Sequence, residues 1–511
     1  MFKRNRLSVF WVLVLLLSFL TACGQEQADL TDNRSPDATI TDDSGGDGTS
    51  DNIDDPNVLR IITEQSAEST INDLVKDLID EYEGLHEGIT IELEILPKDG
   101  EEREVRLDSL RTEIMSGNGP DLFLLPSPGF ANRTTGVVFP DVTQSMHNGM
   151  FADISALYDA DTDLNKEQLQ TTVMEAGVID GARYVLPLYF SFDTLMVDSE
   201  QFSKYDIPVE DITGSVQDLF NVVLEKNDHS LAVSANPHQP RPGQHFPELF
   251  DYEAGKVLVT EEEIAAYLKL FFRSMTQIYD DQNLDTMVGG EESTQLSTTT
   301  YTTNNRFWRN ISQPLHINSL DKALHAYVIS RAEGLSDFAV YPLRSSDGSV
   351  TANITYWGAV SSSCDNVELA YDFLRLLLSE KVQWEIGRSK LSTGFANSLY
   401  CSGYPVRIHG SVEHLTTSVI NMASYYQSPD DPEGREERLK LLENVRLTDS
   451  DFPLLDVKID KVRFTILWEL DLTIERNFSV AYDPFSVPTD EEIDKWAKEL
   501  YRELEFHIAE G

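Results

Sequence analysis

Val58-Leu-Arg-Ile-Ile-Thr63 is a short apolar run, and the pattern that follows it decides the fold class. Ile71, Leu74, Val75, Leu78, Ile79 and Tyr82 recur at i, i+3, i+4, i+7, i+8 and i+11, the spacing that lines one face of a helix. Thr70 and Asp73 stand at capping-box spacing at its start. Ile89, Ile91, Leu93 and Ile95 then alternate as a strand does, Val105, Leu110 and Ile114 mark a second helix, and Pro120-Asp-Leu-Phe-Leu-Leu125 reads as a third strand. This βαβαβ order predicts an α/β fold whose first sheet is parallel and doubly wound. Such sheets take ligands outside the carboxyl ends of their strands. The loops Glu64 to Ser69 and Pro126 to Phe130 leave those ends, so Glu64 and Ser66 are candidates to hydrogen-bond a solute.

Working outward, the chain has 511 residues, too many for one ordinary core and enough for two lobes. Its 41% apolar and 10% aromatic content is that of a globular protein. Acidic residues number 87 against 40 basic, a net charge of −47 that repels phosphate backbones and argues against nucleic acid as a partner.

The amino terminus departs from this composition. Lys3, Arg4 and Arg6 precede the apolar run Val9 to Leu17, and Leu20-Thr-Ala-Cys23 follows. Basic start, short apolar stretch and small residues mark a signal peptide over residues 1–22. The tetrapeptide resembles the bacterial lipobox, which implies that the Cys23 thiol receives a lipid and holds the protein to the extracytoplasmic face of the cell membrane. Residues 23–57 carry no aromatic side chain and ten carboxylates, with Arg34 the one basic residue, and read as a disordered acidic tether. Of the remaining cysteines, Cys364 and Cys401 are read either as a disulfide or as two buried thiols.

Met115-Ser-Gly-Asn-Gly-Pro-Asp-Leu-Phe123 and Val178-Ile-Asp-Gly-Ala-Arg-Tyr-Val-Leu-Pro-Leu-Tyr-Phe190 resemble the extracellular solute-binding proteins of family 1, the class that includes maltose-binding protein. Phe338-Ala-Val-Tyr-Pro-Leu343, Tyr356-Trp-Gly-Ala359 and the helix Asn366 to Leu378 resemble that family's return segment, and Glu491 to Phe506 its closing helix. Residues 407–490 match poorly, and Arg344 replaces a usual proline.

The resemblance implies a two-lobed periplasmic-binding-protein-like fold, each lobe a mainly parallel sheet flanked by helices. Lobe one would hold 58–189 and 340–388, lobe two 190–339 and 389–511, with hinges at Tyr189 to Phe192 and Asp337 to Tyr341. It implies a monomer that captures a small-molecule solute, a mono- or oligosaccharide, for an ABC-transporter permease. A lipoprotein feeding a membrane sensor and a lipid-anchored glycan-cleaving enzyme are the alternatives.

Sugars present C–H faces edged by hydroxyls, so aromatic faces beside planar polar groups are the chemistry to look for. Tyr189 and Phe192 stand at the expected hinge, Tyr356 and Trp357 in the return segment, Phe395 after Thr393-Gly394, and Trp308 in a polar, aromatic stretch. Trp357 is expected half-packed at the cleft, with Gly358 letting the backbone approach the ligand. Neither G-x-S-x-G nor H-E-x-x-H nor C-x-x-C occurs, so no catalytic residue, metal site or cofactor is assigned. His238, His245 and Glu248 share a Pro-rich stretch read as a solvated loop.

Overall fold

The first apolar run and the stripe after it form the strand β1 (Val58–Glu64) and the helix α1 (Thr70–Leu85), whose Val75, Leu78, Ile79 and Tyr82 are buried as their spacing requires. The structure is a computed structural model that describes residues 55–64, 70–97, 100–128, 136–226, 231, 233–234, 245–280, 315–320, 323, 338–385, 403–407, 457–464 and 488–510. Cys23, the leader and nearly all of the acidic tether lie outside the described residues.

β2 (Thr90–Leu96), α2 (Gly100–Met115) and β3 (Leu122–Pro126) complete the βαβαβ unit. β1 pairs with both β2 and β3 in parallel. The buried stripe of α2 differs from the expected one: Arg103, Leu107 and Leu110 face inward, while Val105 is 64% exposed. Positions 103, 107, 110 and 114 have the 3.6 periodicity; counting only apolar residues hides it, because its first member is an arginine.

Four more strands extend this sheet. β4 (Val185–Ser191), β9 (Thr351–Val360), β10 (Tyr404–Pro405) and β11 (Lys461–Phe464) give the order β10-β4-β9-β3-β1-β2, with β11 beside the first half of β9. β9 runs antiparallel to β3 and β4 and parallel to β11, so the sheet is mixed. A second sheet has the order β8-β5-β7-β6, built from β5 (Asp193–Asp198), β6 (Val233–Ser234), β7 (Leu315–Ser319) and β8 (Phe338–Pro342). Here β5 is antiparallel to β7 and β8, as happens when a chain crosses from one sheet into another and turns back; β7 and β6 are parallel.

Each sheet has its own core. The first gathers side chains from β1 to β4, β9 and α6 (Val367–Leu376). The second packs α4 (Val216–Glu225), α5 (Glu261–Asp280) and α7 (Asp490–Glu510) together, with Phe272 edge-on to Trp496 at 5.8 Å. α5 and α7 each begin with a reciprocal capping box, Thr260 with Glu263 and Thr489 with Glu492. α3 (Val142–His147) is capped by Asp141, which accepts from the Gln144 amide at 3.0 Å.

The lobe limits read from the sequence shift in three places. Phe190 and Ser191, placed with lobe two, end β4 of the first sheet. Residue 340 lies inside β8, a strand of the second sheet, so the chain returns to the first sheet only after Pro342. β10 and β11, placed with lobe two as part of 389–511, belong to the first sheet. Beside β10, the buried Arg407 guanidinium donates to the carbonyls of Leu164 and Leu378, tying this segment to the first lobe. Short polar-flanked strands look alike in sequence whichever sheet they join; pairing partners decide.

Candidate functional site

The carboxyl ends of β1, β3 and β4 meet beside the first half of β9, where Tyr356 lies opposite Pro126 and Asn353 opposite Ser191. The two described crossings between sheets occur here as well. β4 ends at Ser191, Phe192 makes the crossing and β5 starts at Asp193, while the return runs from Pro342 to Thr351. The crossing is hydrogen-bonded to its neighbours: the Phe192 carbonyl accepts from the Leu320 amide at 2.9 Å and the Asp193 carbonyl from the Leu343 amide at 2.8 Å. Ligands of α/β proteins settle at such an edge, where strand ends leave backbone and loops unpaired.

The ladder between β9 and β4 shifts register on either side of Tyr356. The extra residue on β9 is Thr355, whose carbonyl accepts from the Ser127 amide at 3.0 Å. The hydroxyls of Thr355, Ser127 and Ser191 are buried and have no hydrogen-bond partner among the described residues. Gly403 covers the bulge so closely that a Cβ there would overlap the Thr355 hydroxyl and come within 3.0 Å of the Tyr189 Cβ. Three orphaned hydroxyls gathered at one edge are uncommon, because buried polar groups are nearly always satisfied.

Around this edge the aromatic side chains are packed. Tyr189 and Phe192 are buried. Tyr356 is buried too, and its hydroxyl lies 2.9 Å from the Thr63 hydroxyl and 2.9 Å from the Leu124 carbonyl, so it braces β1 and β3. Trp357 is 1% exposed, set among Phe139, Phe151 and Phe464 at ring distances of 5.9, 5.6 and 6.3 Å. The half-packed cleft position expected for it is therefore corrected: β9 is a central strand covered on both faces. Gly358 likewise makes room for protein, since a Cβ there would overlap Leu374 and approach Leu124 at 3.0 Å.

Glu64 ends β1 at the expected edge, yet it is 6% exposed and its carboxylate sits 3.0 Å from the Arg103 guanidinium. Burial raises the Glu64 carboxyl above its ordinary range, more than Arg103 lowers it. Ser66, Trp308 and Phe395 lie outside the described residues. Between β2 and α2 an open cavity of about 690 Å³ is lined by Ile95, Pro97 and Val105 with Arg106, whose guanidinium is held by Glu94 and Glu113.

Sequence reasoning missed Ser127, Ser191, Thr355 and Arg103. Ser127 follows Pro126 directly and Ser191 ends the Leu-Tyr-Phe-Ser run, so strand ends were the available signal. Thr355 had none, because its bulge exists only through pairing with β4. The solvated reading of His245 is also corrected. It is buried, its ring stacks on Tyr267 at 4.4 Å, and burial pushes its pKa down to about 4. Cys364 is a half-buried free thiol pushed up to about 11, chiefly by burial; Cys401 lies outside the described residues.

The lobes also meet through Asp141. Its second carboxylate oxygen accepts from the Tyr252 hydroxyl at 2.8 Å and lies 2.9 Å from His507 Nε2 on α7. Among the described residues no group of three His, Cys, Asp or Glu stands close enough to hold a metal ion, and no helix is long and apolar enough to cross a membrane.

Comparison with known proteins adds the family. The sugar-binding protein MalE of the phytopathogen Xanthomonas citri aligns at TM-score 0.50 and 11% identity, covering 89% of this chain and 98% of its own. A de novo designed cysteine esterase aligns at TM-score 0.50 and 13% identity over 88% of this chain and 98% of its own. An extracellular solute-binding protein family 1 member from Alicyclobacillus acidocaldarius aligns at 0.48 and 14% identity, over 88% and 98%. At such identities the first two establish a shared fold, the two-lobed α/β architecture expected from the sequence. No curated protein matches the chain. The family model for bacterial extracellular solute-binding proteins matches residues 65–384, well over half of the sequence, and to that family the chain belongs.

Proposed function

We propose that this protein captures a mono- or oligosaccharide at the carboxyl edge of its first sheet and delivers it, as a monomer, to an ABC-transporter permease. Cys23 carries the lipid that holds it to the outer face of the cell membrane. The observation that carries the reading is the trio of buried hydroxyls on Ser127, Ser191 and Thr355, which lack partners among the described residues and stand beside Tyr189 and Phe192. A sugar supplies both halves of what such an edge takes: hydroxyls that donate and accept, and a C–H face that packs on an aromatic ring. Ser66, Trp308 and Phe395 belong to the proposed contact set on their sequence positions, and Glu64 shapes the edge from its ion pair.

A thermal-shift screen across mono- and oligosaccharides tests this. A bound sugar at a hundred times its dissociation constant adds about 2.7 kcal/mol and raises the melting point, and the sugar is recovered intact. A screen in which no saccharide moves the midpoint would count against the carbohydrate reading, and recovery of cleaved glycan would replace it with an enzyme. Thr355→Val is the site test. Removing an unpartnered hydroxyl leaves the free protein as stable or up to about 1 kcal/mol more so, while a hydrogen bond lost to the sugar lowers affinity roughly tenfold.

A further inference from the structure

We propose that Arg103 is a positioning residue for solute binding: one buried guanidinium that fixes the ends of β1 and β2 and the segment at Gly136 relative to one another at the carboxyl edge of the first sheet. This rests on the carbohydrate-capture reading of that edge. Arg103 lies on α2 at a position the helix turns inward, and it is 0% exposed. Its Nη1 donates to the Pro97 carbonyl at 2.9 Å. Its Nη2 donates to the Gly136 carbonyl at 3.0 Å and faces the Glu64 carboxylate at 3.0 Å.

Those three partners share a meaning in the chain. Glu64 is the last residue of β1, Pro97 follows β2, and Gly136 shortly precedes the buried Val138 and Phe139, downstream of β3. A planar guanidinium with donors fixed in a fork can hold three such acceptors at set angles; an ammonium, a point charge, cannot. A buried ion pair is a weak source of net stability, since desolvation offsets much of its attraction, so positioning is the better account of why a charge sits in this core. Arg103 Nε has no partner among the described residues, so the side chain is held by its forked end alone.

The test uses the full chain with Arg103→Met, Arg103→Lys, Glu64→Gln and the double variant Glu64→Gln/Arg103→Met. Two readouts are taken: hydrogen exchange by peptide, and affinity across pH for the tightest binder among trisaccharides of glucose, mannose or galactose. Arg103→Met is expected to speed exchange at least tenfold in 58–64, 92–97 and 136–139 together, but not in 193–198 or 338–342. It should weaken the trisaccharide at least tenfold and make affinity fall as pH rises, as the unpaired Glu64 is forced to ionise. The double variant should flatten that pH profile. Arg103→Lys, which keeps a cation against Glu64 and so keeps the fold, should loosen 92–97 or 136–139 while sparing 58–64.

Lower melting points with trisaccharide affinity unchanged in both Arg103→Met and Arg103→Lys would overturn the proposal, as would exchange that rises evenly over the whole sheet. Should no trisaccharide bind the unaltered protein, the carbohydrate reading fails, and the exchange pattern alone then decides the role of Arg103.

Discussion

Trp357→Ala separates a core tryptophan from a ligand platform. The indole is 1% exposed and bounded by three phenylalanine rings, so truncation opens a cavity in the middle of the first sheet. Burying a side chain of this size removes roughly 200 Å² from water, worth about 5 kcal/mol at about 25 cal/mol per Å². Against this stands the indole N–H, buried with no acceptor among the described residues, whose removal returns about 1 kcal/mol. The net expectation is a loss of about 4 kcal/mol, within the range for tryptophan truncations. Trp357→Phe keeps most of the ring contacts and also removes the orphaned N–H, so it should cost about 1 kcal/mol or less. Urea unfolding of both variants measures the stabilities, and titration with the bound sugar far below the transition measures affinity. An alanine variant that unfolds at the same urea concentration as the parent but binds sugar tenfold more weakly would refute the core assignment.

Three further outcomes follow from particular contacts. Gly403→Ala should destabilise the protein by about 1 to 3 kcal/mol in thermal unfolding, because the added methyl overlaps the Thr355 hydroxyl and stands 3.1 Å from the Phe190 carbonyl. His245, held near pKa 4 by burial, cannot take the proton that its unfolded form binds below about pH 6.5. Stability is therefore full above that pH and falls as pH drops toward 4, by roughly 2 to 3 kcal/mol, a slope that His245→Phe should lessen when midpoints are compared from pH 7 to 4.5. Asp141→Ala removes the cap of α3 and both cross-lobe bonds, so hydrogen exchange should quicken at 142–147 and at 250–257, and stability should fall by at least about 1 kcal/mol.

Local physics made much of this protein legible in its sequence. Residues 58–125 carry helical and strand periodicities that do not depend on distant contacts, so β1, α1, β2 and β3 stand where their apolar spacing puts them. The motifs running from Met115 to Phe190 and from Phe338 to Leu378 carried the family, because each keeps its local shape and its order along the chain. What a side chain meets across the sheet is another matter. Trp357 and Gly358 read as a ligand-facing pair until Phe139, Phe151 and Phe464 close around the indole and Leu374 of α6 fills the space beside the glycine. Glu64 reads as a free carboxylate until Arg103 arrives from α2, thirty-nine positions on. The Thr355 bulge, the trio of orphaned hydroxyls and the allotment of β8, β10 and β11 between sheets exist only once strands far apart in sequence are paired. Periodicity records which face of an element is buried; only the tertiary structure decides against what.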